Sequence, residues 1–228
     1  MQQLKSKAIV LSRFNYRETD RILTVLTPNY GKIRLIAKGS RAMKSKLAGS
    51  IELFTINEIG FIKGKGDIAT LIHGRMDINF PLIILDIKRV QLGYELLKII
   101  DHTTEDETET EFFNLLAASL AGLNDKASSI ELTRLWFLCR LIAVSGHMPN
   151  LMTDNQGVNL RPDKQYIFDS QSMSFTIRIN GSYGSNHIKF LRLAFSCRQP
   201  GILNRVDGNG LLVNELTPMI NAIYEAYL

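Results

Sequence analysis

The side chains most able to do chemistry in this sequence are the lysines and arginines of residues 21–51. This stretch contains seven basic residues and no Asp or Glu. Five of the seven lie within residues 34–46, where they alternate with Gly and Ser in a segment that is typical of a loop. Because no acidic residues compensate these charges, we expect the segment to bind a polyanion. The simpler alternative is a solvated surface loop.

A second basic turn at residues 63–66 extends the candidate set for phosphate contacts. The predicted phosphate-binding residues are Arg21, Lys32, Arg34, Lys38, Arg41, Lys44, Lys46, Lys63 and Lys65. Aromatic rings close to such charges can stack on unpaired bases. The candidates for stacking are Phe14, Tyr16 and Tyr30, although each of them could instead pack into a core.

The charge is distributed unevenly along the chain. The sequence has 228 residues, of which 45% are apolar, so it is long enough and apolar enough to fold around a real core. Residues 1–80 carry 14 basic and 6 acidic residues, a net charge of +8, whereas the remainder carries a net charge of −3. Polyanion binding is therefore predicted for the first third of the chain.

The residues that usually hold metals or perform covalent catalysis are scattered. The two cysteines, Cys139 and Cys197, each lie alone in an apolar segment, which argues against a disulfide framework and a zinc site. The four histidines are widely spaced, and no G-x-S-x-G, H-E-x-x-H or Walker sequence occurs. We therefore expect a protein that is not an enzyme and that needs no cofactor or metal. No apolar run approaches 18 residues, which favours a cytoplasmic protein.

The elements that must position the basic residues read as short strands. Residues 7–12, 21–27 and 32–37 have strand-like sequences, with a Pro-Asn-Tyr-Gly turn at 28–31. Residues 51–62 predict a long strand whose alternation slips near residues 53–54 and 58, as a bulge would produce, and residues 67–76 predict a fifth strand. Five strands in about eighty residues predict an OB-fold β-barrel over residues 1–79.

The pattern changes to helical spacing at residue 80. Helices are predicted at residues 82–100, from the acidic stretch to about 123, at 128–144, at 186–197 and at 213–227. Weak strands at 165–169 and 173–179 predict a small β insertion at about 150–185. The predicted fold is thus α+β, with an OB barrel at 1–79 and an α-helical domain at 80–228.

Two of the predicted helices, residues 130–144 and 186–197, are apolar around most of their circumference. Their polar margins carry Arg134, Arg140, Lys189 and Arg192. A buried helical core explains this pattern most simply. The alternative is a groove that takes an apolar and acidic peptide from a partner protein.

A long ordered stretch of the chain resembles a known family, the bacterial recombination mediator RecO. The resemblance rests on AIVLSRFNYRETDRILTVLTPNYGKIRLIAKGSRAMKSKLAGSIELF, residues 8–54, and on FIKGKGDIATL, residues 61–71. By similarity, Lys32, Arg34, Lys38, Arg41, Lys44 and Lys46 fall in the basic part of the family's OB domain. A helical domain of similar size and position follows.

The resemblance implies a DNA repair protein without enzymatic activity. Such proteins bind single- and double-stranded DNA through the OB fold and anneal strands coated with single-stranded DNA-binding protein. They also work with RecR to load RecA at gaps, and they contact the C-terminal tail of the single-stranded DNA-binding protein through their helical part. A location in the cytoplasm, in association with the nucleoid, follows from this role.

One departure from the family concerns zinc. Many members carry a four-cysteine zinc module after a Gly-x-x-Pro sequence, which here occurs at residues 146–149. The corresponding stretch, residues 152–175, contains no Cys, so the resemblance implies the module without its metal.

Two other functions remain open from the sequence. An OB-type module that binds RNA or works with the translation machinery would show the same basic barrel. A nuclease would need clustered acids to hold a divalent metal, whereas the six acids of residues 1–80 are scattered in sequence.

Overall fold

A computed structural model of the chain describes residues 3–64, 66–105 and 109–228. The chain forms two compact units, Met1–Asp125 and Lys126–Leu228. The predicted boundary at residues 79 and 80 coincides with the change from strand to helix, but the first unit also takes in the helices up to Asp125. The domain division at this boundary therefore stays a prediction. Within the described residues, no helix is long and apolar enough to cross a membrane.

Five strands of the first unit close into a barrel. They are β1 (Gln3–Tyr16), β2 (Asp20–Thr27), β3 (Gly31–Ala37), β4 (Thr55–Ile62) and β5 (Ile68–Asn79). The strand order is β1-β2-β3-β5-β4, and β4 pairs back onto β1. All neighbours are antiparallel except β3 and β5, which are parallel. This arrangement confirms the predicted five-stranded OB barrel.

The long bent strand of the barrel is β1, with 14 residues. Its first half pairs with β4 and its second half with β2, and Ile9 pairs with both. A register shift between Val10 and Ser12 gives the bend that this double pairing needs. The sequence placed the long strand at residues 51–62 instead. A strand with register shifts does lie there, but it begins only at Thr55, so its predicted start and length are wrong. Phe54 has a φ of +58°, which ends any extended run before Thr55.

The core of the barrel receives buried residues from all five strands, and β2 and β3 contribute alternate residues to it. Leu23 and Val25 from β2 are buried, as are Leu35 and Ala37 from β3. A fully buried Leu or Val side chain contributes about 1.5–3 kcal/mol of transfer free energy. Because side chains alternate along a strand, the residues between them lie on the outer face of the barrel.

In the described part of the first unit, three α-helices follow the barrel. They are α1 (Pro81–Ile84), α2 (Ile87–Thr103) and α3 (Thr110–Leu123). The predicted helix at residues 82–100 is broken, because Asp86 caps α2 by accepting the N–H groups of Lys88 and Arg89. The ring of Phe54 packs against α2 so closely that a Cβ at Gly93 would lie 2.7 Å from its Cε1. This contact fixes α2 on the barrel.

The second unit is built on α4 (Ile130–Val144), with α5 (Ser185–Ser196) and α6 (Asn209–Tyr227) packed against it. All three helices lie close to their predicted bounds. Trp136 of α4 is fully buried and donates its indole N–H to the carbonyl of Cys197 at 3.2 Å. A short 3₁₀ helix at Pro200–Arg205, which no sequence pattern indicated, leads into α6.

The small β insertion consists of β6 (Tyr166–Asp169) and β7 (Ser174–Ile177). Phe175 is fully buried at its centre and makes edge contacts with the rings of Phe168, Tyr166 and Tyr183 at 5.2, 6.2 and 6.0 Å between centroids. Asp154 is also buried, and its Oδ1 accepts the N–H groups of residues 156 and 158, both at 2.9 Å. Aromatic packing and this turn hold the segment together.

The donor set of this insertion does not fit a four-cysteine zinc site, because residues 152–175 contain neither Cys nor His. In the part of the chain that the structure describes, no three His, Cys, Asp or Glu side chains come together as metal ligands. The absence of zinc itself stays a prediction.

Candidate nucleic-acid interface

The outer face of the barrel brings residues from four strands into one row. Strand pairing places Ser12 beside Thr24, Thr24 beside Arg34, and Arg34 beside Ile68. Directly paired residues share a face of the sheet, so these four side chains are neighbours. Arg34 is exposed, and Ile68 is 42% exposed. The face therefore offers a cation next to an accessible apolar side chain.

A cleft of about 880 Å³ lies over this row, and we call it the first cleft. Its walls are apolar at Phe14, Ile22 and Ile68, and they carry Lys32 and Arg34 as cations. The end of α2 closes one side with acidic and hydroxyl groups. The described residues that line it are Ser12, Phe14, Ile22, Thr24, Lys32, Arg34, Ile68, Asp101, Thr104 and Glu105.

A second cleft, of about 710 Å³, lies between the β2–β3 turn and the β4–β5 connection. Tyr30 and Lys63 line it, together with Asp67. Lys32 and Arg34 line both clefts, so β3 forms their common wall. Lys65, which was predicted to bind phosphate from the same connection, lies outside the described residues.

Residues 38–47 form the basic loop that follows β3. Its start is held against the β1–β2 turn, because Gly39 donates its N–H to Oδ1 of Asp20 at 2.8 Å. The N–H of Arg41 bonds the carbonyl of Thr19 at 2.9 Å, and its guanidinium bonds the carbonyl of residue 18 at 3.1 Å. These bonds to neutral carbonyls leave the charge of Arg41 in place. Beyond this anchor, Lys44 and Lys46 are exposed to solvent.

Three cations that line neither cleft are each held by a carboxylate. Lys7 lies 2.8 Å from Asp77, Arg13 lies 2.9 Å from Glu52, and Arg75 lies 2.8 Å from Glu58. The hydrogen bond and the charge of Asp77 raise the pKa of Lys7. By contrast, the ion pairs between described residues do not include six of the predicted residues: Arg34, Lys38, Arg41, Lys44, Lys46 and Lys63. Among the described residues, the cations of β3, the basic loop and the second cleft are thus not held in ion pairs, with the exception of Lys32.

Lys32 has a different environment from the one that the sequence suggested. Its ammonium group donates to the carbonyl of Asp101 at 2.6 Å and lies 3.4 Å from Oδ1 of the same residue. Only 18% of its side chain is exposed. Sequence reasoning missed Asp101 because the two residues are 69 positions apart and meet only through the packing of α2 on the barrel.

Arg21 and the predicted stacking residues differ in how accessible they are. Arg21 lies on β2, half-buried, and donates to Oδ1 of Asn15 at 3.5 Å. Phe14 is 63% exposed and lines the first cleft. Tyr16 is 38% exposed beneath the guanidinium of Arg17. The ring of Tyr30 makes an edge contact with the ring of Phe61, with 5.4 Å between the ring centroids, so much of its surface packs against the core. Phe14 is therefore the best placed of the three for base stacking.

The four basic residues predicted for a peptide groove occupy separate places in the second unit. Arg192 donates twice to the carbonyl of Leu151, at 2.9 and 2.7 Å, and Arg140 donates to the carbonyl of Phe195. Lys189 is exposed on α5. Of the four, Arg134 alone is among the described residues that line a cavity of about 250 Å³ between α4 and α6.

The fold and this surface define a class of protein, an OB barrel with a cationic outer face that is followed by a helical region. Family models agree with this description. The model for the recombination protein O N terminal matches residues 1–76, and the model for the recombination protein O C terminal matches residues 85–175. The chain belongs to the RecO family of DNA repair proteins.

Curated relatives carry the same name. The DNA repair protein RecO of Pelodictyon phaeoclathratiforme is 28% identical over 152 residues, which are 66% of this chain and 58% of the relative. The RecO proteins of Roseiflexus sp. and Dehalococcoides mccartyi strain CBDB1 are 32% and 33% identical over 148 residues, 64% of this chain. Those matches cover 51% and 58% of the relatives. The matched part thus spans little more than half the length of these proteins.

Proposed function

We propose that this protein binds single- and double-stranded DNA through the outer face of β2 and β3 and the basic loop, and that it anneals complementary strands during DNA repair. One observation gives the proposal its main support. Lys7, Arg13 and Arg75 of the barrel are each paired with a carboxylate, whereas no ion pair between described residues includes the six cations that cluster on β3, the basic loop and the second cleft. Membership of the RecO family narrows the expected polyanion to DNA.

The proposed mechanism needs no bond chemistry. Phosphate groups that approach Arg34 or the basic loop release condensed counterions, which makes binding favourable and salt-dependent. Neutralising the phosphates of two strands lowers their mutual repulsion and lets complementary bases meet. Phe14 provides an exposed ring on which an unpaired base can stack. The protein then acts as a mediator in the cytoplasm rather than as an enzyme.

We extend the proposal to the partners that this role requires, namely RecR, RecA and the C-terminal tail of the single-stranded DNA-binding protein. The cavity between α4 and α6 supports a peptide contact, because Leu135 and Pro218 give it apolar walls and Arg134 lies at it. Pro218 has no N–H, so the carbonyl of Asn214 lacks its usual helical donor and is available to a peptide N–H. Arg134 donates to Oδ1 of Asn221 at 2.9 Å, and Glu131 lines the same cavity.

Strand annealing tests the proposal directly. Two complementary oligonucleotides, either bare or precoated with single-stranded DNA-binding protein, are mixed with and without this protein, and duplex formation is followed by fluorescence. We expect faster annealing in both cases, and a loss of the effect on coated strands when the coating protein lacks its acidic tail. No acceleration on bare strands would contradict the proposal.

Two further assays separate the alternatives. Competition by structured RNA that exceeds competition by single-stranded DNA would favour an RNA-binding module. Cleavage of labelled DNA that depends on the protein and on Mg²⁺ or Mn²⁺ would show a nuclease instead.

A further inference from the structure

We propose that Asp101 limits the affinity of the first cleft for DNA by holding the charge of Lys32. This inference rests on the proposed function and concerns the regulation of the same surface. It makes the C-terminal end of α2 a negative determinant of binding, placed opposite the cations of β3.

The geometry around Lys32 supports this role. The Lys32 ammonium group is bound from one side by the carbonyl of Asp101 at 2.6 Å, with the Asp101 carboxylate 3.4 Å away. Both residues line the first cleft, and 33% of the Asp101 side chain is exposed there. A phosphate group that approaches Lys32 therefore meets a cation whose charge is already compensated and a carboxylate that repels it.

The other charged groups around the cleft differ between its two sides. Arg34 is exposed on the same strand, two residues away, and no ion pair between described residues includes it. Glu105 also lines the cleft, so both acids among the described lining residues lie at the α2 end. Phosphates are expected to follow Arg34 and the basic loop, while the α2 side of the cleft repels them.

The position of α2 does not depend on the Asp101 carboxylate alone. The shorter of the two contacts with Lys32 comes from the backbone carbonyl, and Phe54 packs against Gly93 further along the same helix. Asp101→Asn should therefore remove the negative charge without moving the helix. Lys32 would keep its bond to the carbonyl and would regain an uncompensated charge at the rim of the cleft.

The test compares Asp101→Asn with the wild-type chain in binding fluorescent single-stranded DNA over a range of salt concentrations. One additional phosphate contact predicts an affinity gain of about fivefold at 0.1 M salt and a slope of log K against log salt that is steeper by about 0.7. The matched control is Glu58→Gln, which removes the same charge from an acid that lines neither cleft and pairs with Arg75 at 2.8 Å. The control should change the affinity by less than about twofold.

The same Asp101 change made in a chain that lacks Lys32 shows whether the gain in DNA affinity depends on Lys32. In a Lys32→Met chain, the Asp101→Asn change should raise the affinity less than it does with Lys32 present. Equal gains in the two backgrounds, or an unchanged affinity in Asp101→Asn with a native circular dichroism spectrum, would overturn this inference and leave DNA binding intact. A wild-type chain that does not bind DNA at all would instead overturn the proposed function.

Discussion

Charge reversal in the basic loop gives the most informative perturbation of the proposed DNA surface. Lys44 and Lys46 are both exposed, and no ion pair between described residues includes them. In the counterion-release description, one phosphate contact with single-stranded DNA contributes a factor of about five to the affinity at 0.1 M salt. Replacing both lysines with Glu should therefore lower the affinity by about 25-fold, before the added repulsion is counted. The salt slope should become shallower by about 1.4.

The same change should leave the folded state almost untouched. Exposed loop charges contribute little to stability, so the free energy of unfolding should change by less than about 0.5 kcal/mol. Fluorescence anisotropy with a labelled oligonucleotide measures the affinity, and urea denaturation measures the stability.

A matched control is the double change Lys88→Glu and Lys189→Glu, which reverses two exposed lysines that line neither cleft. The reasoning is refuted if the control loses as much affinity as the loop variant, or if the loop variant binds like the wild-type protein.

Three further predictions concern single residues. Phe14→Ala should weaken binding to single-stranded DNA by about 1–3 kcal/mol, and an equal loss for duplex DNA would show that Phe14 does not stack on bases. Gly93→Ala should lower the free energy of unfolding by about 1–2 kcal/mol in urea, because the clash with Phe54 exceeds the helix-propensity gain, and an unchanged urea midpoint would contradict this. Burial raises the pKa of both Cys139 and Cys197, so a thiol reagent at pH 8 should label the native protein at least about tenfold more slowly than the unfolded protein, and equal rates would be inconsistent with the fold.

Much of the fold followed from local patterns. The Pro-Asn-Tyr-Gly turn and the alternation of residues 21–37 predicted β2 and β3 closely, since each strand has one face in the barrel core. The helix predicted at residues 128–144 agrees with α4 to within two residues, and Ser129, whose side chain accepts the N–H of Leu132, caps its start. These features depend on neighbours in sequence, so a single chain reveals them.

Other features depend on tertiary contacts and could not be predicted in this way. The extent of β1 reflects its pairing with both β2 and β4, and no local signal marks that double role. Phe54 adopts a positive φ, which is rare for a bulky residue, and its ring packs against α2, a contact that no local pattern indicates.

The candidate interface shows the same division between local and distant effects. The basic loop is evident from the sequence composition. The ion pair of Lys32, in contrast, forms only because folding brings Asp101, 69 residues later in the chain, next to it. Similarly, the sequence placed Arg140 and Arg192 on the polar margins of a possible peptide groove. In the structure both donate to backbone carbonyls, of Phe195 and Leu151, respectively. Long-range pairing therefore decides which cations remain available to a ligand.

The central claim is that uncompensated cations on β3, on the basic loop and beside the second cleft bind the phosphates of DNA. The most direct test is the affinity for single-stranded DNA as a function of salt concentration. If four to six of these cations contact phosphates, the slope of log K against log salt should be about −3 to −4, and the affinity should fall by about two to three orders of magnitude between 50 and 300 mM salt. An affinity at 300 mM salt equal to that at 50 mM would contradict the claim.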